Sequence, residues 1–169
     1  MAISMYQASV PVFQKMLGNL DHVIDKAVAD AATRKITEAV LLQARLAPDM
    51  LPFTKQVQIM TDFAKGASGR LAGVELPKFE DNEASFAELK ARIKNTQDFV
   101  AGFKPAQIDG SEEKVIQIKA GPREMTFKGV DYLLMYALPN FYFHYTTAYD
   151  ILRHNGVPVG KGDFIAGRM

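Results

Sequence analysis

The sequence predicts an all-α protein, an up-and-down four-helix bundle with a short β-hairpin inserted before the last helix. Three observations carry this. Met50, Phe53, Val57, Met60, Ala64, Ala67 and Leu71 alternate three and four apart, the seam of a helix packed lengthwise against its partners. The longest apolar stretch, residues 129 to 155, has the same kind of stripe. Between the two, residues 114 to 127 change period, with β-branched and aromatic residues on either side of a Gly-Pro turn.

The first helix is expected within residues 4 to 30, where Val10, Phe13, Leu17, Leu20, Ile24 and Val28 share one face. Ser4 is placed to cap its start, and Pro11, which has no N–H to donate, requires the helix to begin near it or bend there. Residues 36 to 47 are apolar but less regular, and Ala47-Pro48-Asp49 gives the break at which the second long helix starts. Asp49 then reads as a first-turn acid that complements the helix N-terminus, and Gly73 as the stop.

Residues 73 to 82 read as a loop. The third helix runs from about Ser85 to Ala101, with Phe86, Leu89, Ile93, Thr96 and Val100 facing inward and Ser85 with Glu88 as a capping box. The hairpin pairs Lys114-Val-Ile-Gln-Ile-Lys119 with Arg123-Glu-Met-Thr-Phe127 across Ala120-Gly121-Pro122, and must lean on the helices because an isolated hairpin is marginal in water. Val130, Leu134, Ala137, Phe141, Ala148 and Leu152 form the last stripe, which Pro139 kinks or divides and Asn155-Gly156 ends. The Gly-rich tail, residues 157 to 169, is expected to be irregular.

With 169 residues the chain reads as one domain, 1–169, and a chain of that size buries about 70% of its extended surface. Its 48% hydrophobic and 23% charged composition is that of a globular protein. The absence of cysteine excludes disulfides, a thiol nucleophile and thiolate metal sites. Twenty basic against nineteen acidic residues leave a net charge of +1, and no basic cluster exceeds Arg34-Lys35, so nucleic acid is not an expected partner. No stretch approaches the ~20 apolar residues of a membrane span, and the first seven residues lack the pattern of a signal peptide. The expected location is the cytoplasm.

Candidate chemistry centres on three histidines. His144 lies among Ala137, Phe141, Ala148 and Ile151 at helical neighbour positions, which turns it toward the bundle interior. The plain reading is an imidazole satisfied by a hydroxyl or carbonyl; the sharper one is a metal ligand, and it is the only plausible ligand in the chain. His22 shares its face with Gly18, Asp25 and Lys26 and should be solvated, while His154 stands in the last helical turn, where a cation complements the dipole. Gln56 sits beside a subsidiary stripe of Pro52, Ile59 and Phe63 and reads as a half-buried amide; Asp62 should face water. Tyr142, Tyr145 and Tyr149 crowd the helix around His144, as core, dimer surface or the wall of a pocket. No phosphate-binding loop, dinucleotide fingerprint, zinc-protease motif or nucleophile elbow is present.

Arg45-Leu-Ala-Pro-Asp-Met50, Gln56-Val57, Asp62-Phe-Ala-Lys65, Arg70-Leu-Ala-Gly73, Leu138-Pro-Asn-Phe-Tyr-Phe-His144, Ala148-Tyr149 and Leu152-Arg-His-Asn-Gly156 resemble a bacterial family of unknown function within the DinB/YfiT-like superfamily. The resemblance covers nearly the whole chain. It implies a bundle, commonly dimeric, in a superfamily whose active members hold a divalent metal through three histidines and include thiol-dependent transferases and isomerases. The chain departs from that pattern at Ala148, four residues after His144, and in residues 47 to 72, which contain no histidine. Three functions stay open. One is a homodimer that binds a small molecule or partner in a cleft lined by His144, Gln56 and Tyr145. A second is an enzyme with an unusual divalent site, zinc or nickel, around His144 and Gln56, activating water or a thiol. The third is a structural interaction protein.

Overall fold

The computed structural model describes residues 2 to 167. Four long helices form the bundle: α1 (Val10–Arg34), α3 (Phe53–Ala72), α4 (Phe86–Ala101) and α7 (Leu138–His154). Around the bundle axis α1 packs on α4, α4 on α3, α3 on α7, and α7 returns to α1. Shorter elements complete it: α2 (Glu38–Leu42), α5 (Pro105–Ile108), β1 (Val115–Ala120), β2 (Arg123–Lys128), α6 (Gly129–Asp131), a π-helical turn (Tyr132–Ala137) and α8 (Lys161–Ala166). Among the described residues no helix is long and apolar enough to cross a membrane.

The first helix begins at Val10, with Pro11 in the first turn, where its missing N–H would have had no helical partner. Ser4 therefore does not cap α1. Its hydroxyl and the Gln7 side chain instead bond each other's backbone N–H in the turn before the helix, at 3.3 and 3.1 Å. Phe13, Leu17, Leu20 and Ile24 are buried as expected, and Ala27 and Ala31 continue the seam. Val28 lies one position beyond that alternation and is 37% exposed, so it leaves the stripe.

Helix α3 starts at Phe53, later than the break at Pro48 implied, because Leu51 precedes Pro52 and is held out of the helical region by the proline ring. Asp49 consequently sits exposed in a preceding turn and complements no helix N-terminus, and Met50 is half-buried outside the helix. From Phe53 to Leu71 the seam is buried throughout, and Gly73 closes the helix in the left-handed region at φ 76°. Helix α4 carries the expected Ser85–Glu88 capping box.

The hairpin pairs Val115 with Lys128 through to Ala120 with Arg123, leaving Gly121 and Pro122 as the turn. It leans on the bundle through Ile116, which is buried, and through Ile118 and Phe127. Beyond it the last apolar stretch is divided where the proline requires: the π turn ends before Leu138-Pro139, and widening the backbone there gives the proline ring room at the carbonyl of the preceding turn. The extra residue of that turn rotates the apolar face, so Leu133 and Ala137 are buried while Leu134 is 45% exposed rather than on the stripe.

The tail is not irregular throughout. Residues 161 to 166 form α8, which packs on α1 and α7 with the Phe164 ring stacked 4.1 Å from Tyr145. Asp163 accepts from the Gly160 N–H at 2.8 Å, and Asn19 of α1 donates to the Phe164 and Ile165 carbonyls, both at 2.9 Å. Residues 168 and 169 lie outside the described residues.

Candidate functional site

A groove opens between α3, the hairpin and the π turn, and from it a row of side chains on a second face of α3 continues along the packed α3–α7 interface. Gln56, Phe63 and Arg70 recur every seven residues, which returns a side chain nearly to the same side of a helix. Their partners run the other way: Gln56 meets His144, Phe63 meets His144 and Tyr136, and Arg70 meets Tyr132. The two segments are therefore antiparallel, with one shared row of aromatic and polar side chains.

At one end, His144 Nδ1 lies 2.7 Å from Gln56 Oε1, and both residues are buried. The amide cannot be reversed without loss, because Gln56 Nε2 donates to the Leu51 carbonyl at 3.0 Å. Oε1 is thus the acceptor and His144 Nδ1 carries the proton. Burial lowers the pKa of His144, so at neutral pH the ring is uncharged and Nε2 holds a lone pair. Among the described residues no hydrogen-bond donor reaches Nε2. Phe63 stacks on the imidazole at 6.0 Å and 17°, and Phe143 meets it edge-on at 5.2 Å.

At the other end, Arg70 donates to the Tyr132 hydroxyl at 3.0 Å. A cleft of about 170 Å³ opens there, lined by Asp62, Phe63, Arg70, Ile118, Lys119, Tyr132 and Tyr136. The π turn and hairpin position two of these walls: Tyr132 and Tyr136 stack at 6.1 Å, and Phe127 of β2 backs both rings. Burial raises the pKa of Tyr132, with Arg70 opposing that shift, so the phenol stays protonated.

The expected trio of His144, Gln56 and Tyr145 separates. Tyr145 is buried on the α8 side, where its hydroxyl donates to the Phe164 carbonyl at 2.8 Å, and burial pushes its pKa well up. His22 is not solvated but half-buried, 2.9 Å from Asp163 Oδ1, because the unforeseen α8 covers it. His154 is exposed in the last turn of α7. Asp62 is drawn to Arg92 and Lys65, at 3.0 and 2.9 Å, with the carboxylate still partly in water.

Sequence reasoning gave no site role to Arg70, which it read only as part of a family motif, nor to Tyr132, Tyr136 and Arg92. The first belongs to the seven-residue repeat that already held Gln56 and Phe63, which was the signal available. Arg92 carried none: it is a charged residue on an amphipathic helix, yet it is 3% exposed and its guanidinium binds Thr61, Asp62, Asp81 and Glu83.

The donor set does not fit a three-histidine metal centre. Ala148 offers a methyl group one turn beyond His144, and the Gln56 amide is committed at both ends. Among the described residues no three His, Asp or Glu side chains gather so as to hold an ion.

A helical bundle of this order with a two-stranded hairpin before its last long helix is a DinB-like bundle. A DinB family member protein from Shewanella denitrificans, known from a crystal structure at 1.83 Å, is similar to it with a TM-score of 0.86 and 41% identity, over 97% of this chain and 92% of that one. Residues 5–165 match a family described as a domain of unknown function, DUF1993, and the chain belongs to that family. Among curated proteins none matches it.

Proposed function

We propose that the protein binds a small molecule in the groove beside α3, with His144 Nε2 as a hydrogen-bond acceptor and without a three-histidine metal site. The observation that supports this most is the fixed tautomer. A buried neutral imidazole whose Nδ1–H is held by Gln56 presents its other nitrogen as a pre-oriented acceptor, the arrangement that binding and proton-transfer sites use. Aromatic side chains flank it, and ligand sites are commonly apolar walls with a few placed polar groups.

Phenol serves as the probe, since it offers one O–H donor on a flat apolar ring. Titrated into isotope-labelled protein, it is expected to shift the ring signals of His144 and Phe63 saturably and to lose affinity in His144→Phe. Shifts confined to α8 or the hairpin turn would contradict the reading. One tightly held zinc or nickel ion per chain, absent from His144→Ala, would favour a metal-dependent enzyme instead.

A second reading has its own observation. Met135 and Phe143 are 74% and 56% exposed on the segment that forms this groove, and such side chains suit pairing with a second copy. Light scattering should then give a dimer that Phe143→Lys dissociates.

A further inference from the structure

We infer that Arg70 anchors a small carboxylate in the cleft between α3, the hairpin and the π turn, with the ligand's flat apolar body lying against Phe63 and Tyr136. This rests on the reading of the groove as a binding site and names the class of ligand its Arg70 end accepts.

The charge balance of the cleft points to an anion. Arg70 is half-buried, and among the described residues no carboxylate lies within ion-pair distance of it; its one hydrogen bond goes to a neutral phenol. A guanidinium has five N–H donors in a planar fork matched to a carboxylate, so the protein leaves most of that capacity to solvent or a ligand. Lys119 lines the same cleft. The one acid there, Asp62, is already held by Arg92 and Lys65, which leaves the cleft positive.

The helix itself makes room for this guanidinium. Gly66 stands one turn before Arg70, and a Cβ placed there would lie 2.3 Å from Arg70 Nη1. The glycine lets the arginine lie along α3 into the groove, although glycine in a helix interior costs up to about 1 kcal/mol relative to alanine. Phe63, Tyr132 and Tyr136 supply ring surface for the rest of the ligand. The cleft, about 170 Å³, has room for a small flat ligand such as a single-ring acid.

Calorimetric titration of the full chain with benzoate and with its neutral isostere benzamide tests this. Benzoate is expected to bind more tightly by about tenfold, the worth of a charge-assisted pair in a partly open site. Arg70→Gln should abolish the preference and Arg70→Lys, which keeps the charge but not the fork, should reduce it. Because Arg70→Gln also unpairs the buried Tyr132 hydroxyl, Gly66→Ala provides a second arm: it favours the helix, displaces only the flexible end of Arg70, and should likewise erase the preference. Benzoate binding no tighter than benzamide overturns the proposal while leaving the groove reading intact. So does an unchanged preference in folded Arg70→Gln or Gly66→Ala. If neither compound binds, this proposal fails, and the phenol titration decides the groove reading separately.

Discussion

Gln56 and His144 stand 2.7 Å apart across the α3–α7 interface, and the amide, anchored behind by Leu51, decides which imidazole nitrogen carries the proton. The pair spans two helices 88 positions apart in sequence. It therefore reports on the packing of the bundle as well as on the chemistry of the groove.

His144 makes stability depend on pH in a stated direction. Burial lowers its folded-state pKa from the ordinary 6.5, so as pH falls the unfolded chain takes up the proton first. The contribution is complete above about pH 6.5 and is lost as pH drops from there through the lowered pKa. Urea unfolding at about pH 7 and about pH 5 should show the stability difference between wild type and His144→Gln shrinking on acidification. A difference that is flat or grows would show that the ring is charged in the folded state.

Arg92 ties the 73–85 loop to the bundle. Its guanidinium bonds Thr61 at 2.7 Å and Asp62, Asp81 and Glu83 each at 3.0 Å, and stands 5.4 Å from the centre of the Phe79 ring. Asp62 and Asp81 are nearly half exposed, so each of those pairs is worth under about 1 kcal/mol. The Glu83 side chain is 8% exposed and also accepts from Gln58 Nε2, so removing Arg92 leaves a buried charge without its counter-ion. Arg92→Ala is expected to cost about 3 kcal/mol and Asp81→Asn less than about 1 kcal/mol in urea unfolding. Equal effects from the two would mean that the network shares its energy evenly.

Asp163 holds α8 against α1. Burial alone would raise its pKa, but hydrogen bonds from Lys26, the Gly160 N–H and His22 outweigh this and bring it down to about 2. A depressed carboxyl contributes stability above its unfolded value of 3.8, and that contribution is lost as pH falls toward about 2. Protection factors across residues 160 to 166, taken relative to the intrinsic exchange rate at each pH, should fall in that acid range before those of the bundle do, and Asp163→Asn should produce the same local opening at neutral pH. Protection of α8 that survives the substitution would place its anchorage in Phe164 and Asn19.

The bundle was legible because burial of a helix face imposes a period that the residues themselves display. Phe53 to Leu71 shows it on α3, and Ser85 with Glu88 marks the start of α4 because a cap is a local interaction. The hairpin declared itself by its change of period. Helix α8 did not, since six residues hold too few turns to display a stripe and its stability comes from contacts with Tyr145, Asn19, His22 and Lys26, all distant in sequence. The same applies to the site. His144 and Gln56 could each be named from their own helices, but Tyr145 was grouped with them by adjacency in sequence, whereas neighbours on a helix point about 100° apart. Arg70 acquires its meaning only from Tyr132 and from the absence of a nearby acid, neither of which a linear reading supplies.

In this structure His144 is neutral and protonated on Nδ1, with Nε2 left as an acceptor. Long-range ¹H–¹⁵N correlation of the histidine rings at neutral pH tests it directly. The expected result is one ring with Nε2 at the shift of an unprotonated nitrogen, assigned to His144 by its loss in His144→Gln, and moved by phenol. A His144 ring protonated on Nε2, or on both nitrogens, would contradict the account.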